Sequence, residues 1–119
     1  MKIVVAGSRS FNDYTLLCEV LDRVIGHEHV TLISGHASSG ADVLGERYAA
    51  ERGHDLVLVP AEWKKYGRSA GPKRNRVMAQ QCDVLVAFWD GKSSGTGSMI
   101  NEARKLNKVV HIINYGQTD

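Results

Sequence analysis

Residues 71–82 read Gly71-Pro72-Lys73-Arg74-Asn75-Arg76-Val77-Met78-Ala79-Gln80-Gln81-Cys82. They lead into Asp83-Val84-Leu85-Val86-Ala87-Phe88-Trp89-Asp90-Gly91, then Lys92-Ser93-Ser94-Gly95-Thr96-Gly97 and a further run to Glu102. The apolar block Val84 to Phe88 has the length and β-branched content of a buried strand. A polar helical stretch precedes it, with Pro72 suited to a first turn, where its missing N–H is not needed. A loop of Gly, Ser and Thr follows and opens another helix, whose first N–H groups have no partner inside the helix. A loop between a strand's C-terminal end and a helix's N-terminal end is a receptor for phosphate.

The same alternation runs through the rest of the chain. Residues 2–6 form an apolar strand ending in Gly7-Ser8-Arg9-Ser10. Asn12 or Asp13 caps a helix carrying Leu16, Leu17, Val20, Leu21, Val24 and Ile25 at helical spacing, and Gly26 stops it. Val30 to Ile33 is a second strand, followed by the small, polar loop from Ser34 to Asp42 and a helix over about 41–52. Leu56 to Val59 is a third strand, halted by Pro60. Residues 61–72 are irregular, with one helical turn at Trp63 to Tyr66, and a helix follows from Pro72 to about Gln81. After the Val84 strand come a helix over about 95–106, a fifth strand from Val109 to Ile113, and a polar tail after Asn114 expected to be loose. Strict alternation of strand and helix predicts an α/β protein, a single Rossmann-like domain over 1–119 with a five-stranded parallel sheet and helices on both faces. Ligands of such sheets lie beyond the C-terminal ends of the strands, where the strand order switches.

A formal charge of +2 is too small to argue for nucleic acid by bulk charge. The chain opens directly on a strand, and no apolar run nears the roughly 20 residues of a membrane span. A cytoplasmic protein with no membrane partner is the expectation. Cys18 and Cys82 have no C-x-x-C spacing and are read as reduced thiols, and the five histidines are scattered, so neither a metal nor a cofactor is expected.

Three loops are candidates for a ligand. In the first, Gly7, Ser8 and Arg9 place a guanidinium and a hydroxyl at a strand end, or form only a turn with a surface arginine. In the second, Ser34, Gly35, Ser39 and Gly40 let backbone approach a ligand closely, and Asp42 either faces the positive end of its helix or accepts from a ribose hydroxyl. In the third, Ser94, Gly95 and Thr96 sit at a helix start, while Asp90 suits sugar hydroxyls, a base edge or a neighbouring arginine. Arg74 and Asn75 add a fork that grips phosphate with two parallel bonds. Trp63 is either a stacking surface for a base or an ordinary core or interface aromatic. Trp89 flanks the pocket or a subunit contact.

In combination, Gly7-Ser8-Arg9 with Phe11, Ser34-Gly35 to Gly40-Ala41-Asp42, Pro60-Ala61-Glu62-Trp63, Gly71-Pro72-Lys73-Arg74-Asn75 with Met78, Asp83, Ala87 to Gly91, and Ser94-Gly95-Thr96 resemble the YspA-type SLOG domain over nearly the whole chain. The resemblance implies a Rossmann-like domain for nucleotides or nucleotide-derived ligands, some relatives sensing or sequestering signals made from NAD in phage defence. It also extends to the LOG enzymes, which cleave the N-glycosidic bond of nucleoside monophosphates. Arg74, Met78 and Asp83 keep that family's spacing, so Arg74 stands where the resemblance puts a catalytic arginine. Met99, however, takes the place of the catalytic glutamate, three residues after Thr96. A carboxylate is what would steady the positive sugar of such a cleavage. Glu102 lies six residues past Thr96, about 9 Å down the axis, which is expected to be below the pocket floor.

The sequence therefore predicts a small-molecule binder, a sensor or sequestering protein, with a homodimer or higher homo-oligomer as its assembly. A LOG-like glycosidase is the alternative, with Arg74 and Asp90 (or Asp42) as catalytic groups. Nucleic-acid handling, as in the related DprA proteins, ranks below both, the cluster Lys64, Lys65, Arg68, Lys73, Arg74 and Arg76 being read as a pocket rim with solvated charges.

Overall fold

Residues 1–115 are described by the structure, a computed structural model. Strand β1 (Lys2–Gly7) lies at the centre because it is apolar on both sides. Ile3 and Val5 face one layer, Val4 and Ala6 the other. Strands β2 (Thr31–Ser34) and β4 (Val84–Trp89) flank it, and β3 (Asp55–Leu58) and β5 (Val109–Asn114) form the edges. The order is β3-β2-β1-β4-β5, and every pairing is parallel. The expected five-stranded Rossmann-like α/β architecture is what the chain adopts.

Helices α1 (Tyr14–Ile25) and α2 (Ala41–Arg52) cover one face. Asp13 caps α1, its side chain accepting from the Leu16 N–H at 3.0 Å. Helix α2 approaches β1 closely through Ala41, Gly45 and Ala49, three small residues four apart on one side of the helix. The single turn α3 (Trp63–Tyr66) and a 3-10 turn (Gly67–Ser69) lead into α4 (Ala70–Gln81), which covers the opposite face together with α5 (Ser94–Lys105). Cys18 packs against the first layer and Cys82 belongs to the second, so the sheet lies between the two thiols.

Several boundaries differ from the expectation. Helix α4 begins at Ala70, two residues before Pro72, because the first turn of a helix uses no N–H from those positions. Strands β2 and β3 are each shifted by one residue, although the Val59 N–H still reaches the Ser34 carbonyl at 2.8 Å. Strand β3 is apolar yet lies at an open edge, and Leu56, Val57 and Leu58 remain exposed. Of the tail expected to be loose, Tyr115 is half-buried, its ring edge-on to Phe11 at 4.7 Å. The remainder, 116–119, lies outside the described residues.

The chain leaves β1 toward β2 and leaves β4 toward β5, in opposite directions along the sheet. Their loops therefore part above the C-terminal ends of the strands and leave a crevice.

Candidate functional site

The crevice is built from backbone first. Gly7 pairs with Phe88, and a Cβ on Gly7 would run into the Phe88 carbonyl. The Ser8 N–H donates to that carbonyl at 3.1 Å, and Phe11 N–H returns to the Ser8 carbonyl at 3.1 Å, so the loop folds sharply at the strand end. Gly40, with φ 82°, lets the second loop lie against the first, where a side chain would overlap the Ser8 carbonyl and Arg9 Cα. The first two loops are thereby locked together at the start of α2.

Arg74 rises from α4 and turns inward. Its Nη1 donates to the Gly35 carbonyl at 2.8 Å and its Nε to Asn75 Oδ1 at 3.0 Å. Burial lowers its pKa, and the Arg9 charge lowers it further, while Asp42 acts the other way. Asn75 is buried, and its amide donates to the Gly95 carbonyl at 3.3 Å and to Ser98 Oγ at 3.4 Å. Asn75 thus ties the arginine to the start of α5. Asp42 is only 9% exposed. Burial pushes its carboxyl above the usual carboxylate range, against the Ala37 N–H, which donates to Oδ2 at 3.0 Å, and against the Arg74 charge.

The loop after β4 is organised by Asp90. Its Oδ1 accepts from the N–H groups of Lys92 (2.8 Å) and Ser93 (2.7 Å), and its Oδ2 accepts from Ser93 Oγ at 2.8 Å. These donors, Ser93 and Lys92 N–H foremost, bring its carboxyl down to about 2. Because Ser93 Oγ is used there, it makes no cap bond to α5, which begins at Ser94. Thr96, in that first turn, is 6% exposed. Trp89 braces the loop from the side, its Nε1 donating to the Ser93 carbonyl at 3.0 Å.

These pieces enclose one cavity of about 830 Å³. Among the expected residues it is lined by Gly7, Ser8, Arg9, Asp42, Arg74, Asn75, Ser94, Gly95 and Thr96. Ser34, Gly35, Ser39, Gly40 and Asp90 do not line it. Ser34 is buried and donates to Glu46 Oε2 at 2.8 Å, Gly35 offers its carbonyl to Arg74, and Ser39 is exposed. Asp90 shapes the loop with its own oxygens rather than presenting them to a ligand. Met99 forms part of the wall where a catalytic acid was looked for. Glu102 is absent from the lining and pairs with Arg76 (3.8 Å) and Lys105 (3.5 Å). Asp42 is the one acidic residue in the lining, which also holds Arg9, Arg68 and Arg74.

Trp63, Arg68, Pro72 and Ser98 also line the cavity. Arg68 was named from sequence only within the basic cluster read as a pocket rim, and it does line the cavity. Ser98 was not named from sequence, being one hydroxyl among several on α5. Among the described residues, no helix is long and apolar enough to cross a membrane, and no three His, Cys, Asp or Glu side chains gather as a metal site.

The sequence model of the family described as "YspA, cpYpsA-related SLOG family" matches residues 1–66 of this chain. That span contains β1 to β3 and the first two loops, and stops before Arg74 and α5. No curated protein matches. Among solved structures, the X-ray structure of DNA processing protein A (DprA) from Streptococcus pneumoniae is similar, with a TM-score of 0.78 and 19% identity. The similarity covers 99% of this chain and 52% of that one, so the chain spans about half the length of that protein. At that identity the likeness is one of fold.

Proposed function

Since the chain belongs to the YspA, cpYpsA-related SLOG family, we propose that it binds a nucleotide or nucleotide-derived ligand in the crevice between the β1 and β4 loops. The observation that carries this is the convergence on one cavity of Ser8, Arg9, Arg74 and the uncapped start of α5. Phosphate is drawn by backbone N–H groups at a helix start and by guanidinium forks. Three arginines against one buried acid give the cavity an excess of positive charge. The protein acts by holding its ligand, as a sensor or a sequestering protein, and signals made from NAD are the first class to try. A homo-oligomer belongs to the same reading.

Cleavage of the ligand ranks below binding. Met99 supplies no charge, Glu102 is engaged elsewhere, and Asp42 is left as the acid within reach. The test is mass spectrometry of small molecules released by denaturing protein purified without added ligand, followed by incubation with nucleoside monophosphates and NAD derivatives. An intact phosphorylated nucleoside supports binding. A free base accumulating during incubation replaces binding by hydrolysis. No released compound and no binding across the panel overturns both.

A second reading, nucleic-acid binding, is favoured by one surface. Lys64, Lys65, Arg68, Lys73 and Arg76 are all exposed, and Lys73 Nζ and Lys65 Nζ lie 4.6 and 5.1 Å from the Tyr66 ring centroid. DNA processing protein A shares this fold, so net charge is too coarse a ground for setting nucleic acid aside. Single-strand binding that falls steeply with added salt would establish this reading. Binding that is absent at low salt would remove it.

A further inference from the structure

Trp63 is the one large aromatic in the cavity lining, and it is 54% exposed. It belongs to neither hydrophobic core cluster. It sits on the single turn α3, and its ring tip lies over the start of α4. A Cβ on Gly71 would be 3.3 Å from Trp63 Cη2, so the absence of a side chain there leaves the indole its place. The wall formed by Trp63, Gly71 and Pro72 is apolar, apart from Arg68 beside it. The β1 and β4 loops, which line the same cavity, bring Ser8, Ser94, Thr96 and the N–H groups at the start of α5. A cavity lined both by an uncovered indole and by phosphate donors has the groups a nucleotide calls for, since its base has an apolar face and its other end is anionic.

We infer that Trp63 is a base-stacking platform, that it fixes the ligand with its nucleobase on the α3–α4 wall and its phosphate toward Arg74 and the start of α5, and that it is the residue that separates a nucleotide from a bare sugar phosphate. This rests on the phosphate-binding reading above. Stacking on an indole tolerates any base, because every base has a π face. Selection at this wall is therefore for the presence of a base, with purines favoured by their larger area. Arg68 adds a cation beside the ring without needing a hydrogen bond to a particular base edge.

The experiment is calorimetric titration of wild type, Trp63→Ala and Trp63→Phe with AMP, UMP, ribose 5-phosphate and pyrophosphate. Trp63 is outside the core, so thermal melts of the three proteins are expected to coincide. Trp63→Ala should weaken AMP and UMP by roughly 5- to 150-fold, the usual range for a lost stacking partner. Ribose 5-phosphate and pyrophosphate should bind all three proteins equally, and Trp63→Phe should restore most of the loss. Equal AMP affinity in wild type and Trp63→Ala, with ribose 5-phosphate still bound, overturns the stacking site alone. Loss of all four probes by the same factor in Trp63→Ala also overturns it, because the effect would then be on the whole pocket. A change in sedimentation with unchanged nucleotide affinity would make Trp63 an interface residue instead. If wild type binds none of the four, the phosphate reading falls and the stacking site falls with it.

Discussion

Arg74 has two tasks that a single substitution separates. Its Nη1 holds the Gly35 carbonyl and its Nε the Asn75 side chain, and the residue also lines the cavity. Arg74→Ala is expected to weaken AMP binding by tenfold or more, since a charge-assisted hydrogen bond contributes about 1.5–3 kcal/mol. It should also lower stability by about 1 kcal/mol through the unmet carbonyl. Arg74→Lys keeps the charge but not the planar fork, so it should recover only part of the affinity. Calorimetry and urea unfolding measure the two effects. Asp90 gives a pH prediction. Its carboxyl is held below the unfolded value, so the stability it contributes is present above about pH 4 and declines as the pH falls toward about 2. The difference in melting temperature between wild type and Asp90→Ala should be constant from pH 7 to 5 and shrink steadily below that. A difference independent of pH across this range would show that the carboxylate charge does not organise the loop. Asp90 also marks a limit of sequence reading. An acid next to glycine at a strand end has the same composition whether it reaches for a sugar or folds back on Lys92 and Ser93.

Elements were more legible than residues. The alternation of strand and helix was readable because fully apolar runs and helical spacing are local properties, and the cap of α1 could be narrowed to Asn12 or Asp13, of which the structure uses Asp13. Arg74 and Asn75 could be placed at the site because they open the helix that precedes β4. Arg68 could be assigned to the pocket rim only as one member of a basic cluster, because the segment from Gly67 to Ser69 obeys no period and its position is set by α3 and α4 together. The glycines of the second loop show the same division. Ser34 to Asp42 was recognisable as a close-approach loop, but what its Gly40 approaches is the backbone of the first loop. Gly40→Ala is accordingly expected to destabilise by more than 2 kcal/mol or so, because a positive φ and an overlap with the Ser8 backbone add. Gly53→Ala, with φ 72° and open space around it, should cost about 1 kcal/mol. Denaturant unfolding of both variants checks the contrast. Equal losses would mean that contact between the loops contributes nothing.

For the molecule as a whole, the strand order is what the sequence could not disclose. Any arrangement of five parallel strands satisfies the alternation, and only the packing of Val4, Ala6 and Ile33 under α4 and α5 selects β3-β2-β1-β4-β5. The exposure of Leu56, Val57 and Leu58 was hidden for the same reason, since an edge strand and a central one can share a composition. The two layers also cross the midpoint of the chain. Val84, Val86 and Phe88 lie under helices from the first half, while Val4, Ala6 and Ile33 lie under helices from the second. The segment 1–66, although it is the part that carries the family's signature, is therefore not a unit that can be cut free. Produced alone, it would uncover an entire apolar side of its three strands and is expected to give no cooperative melt, regaining one only when 67–119 is supplied in trans.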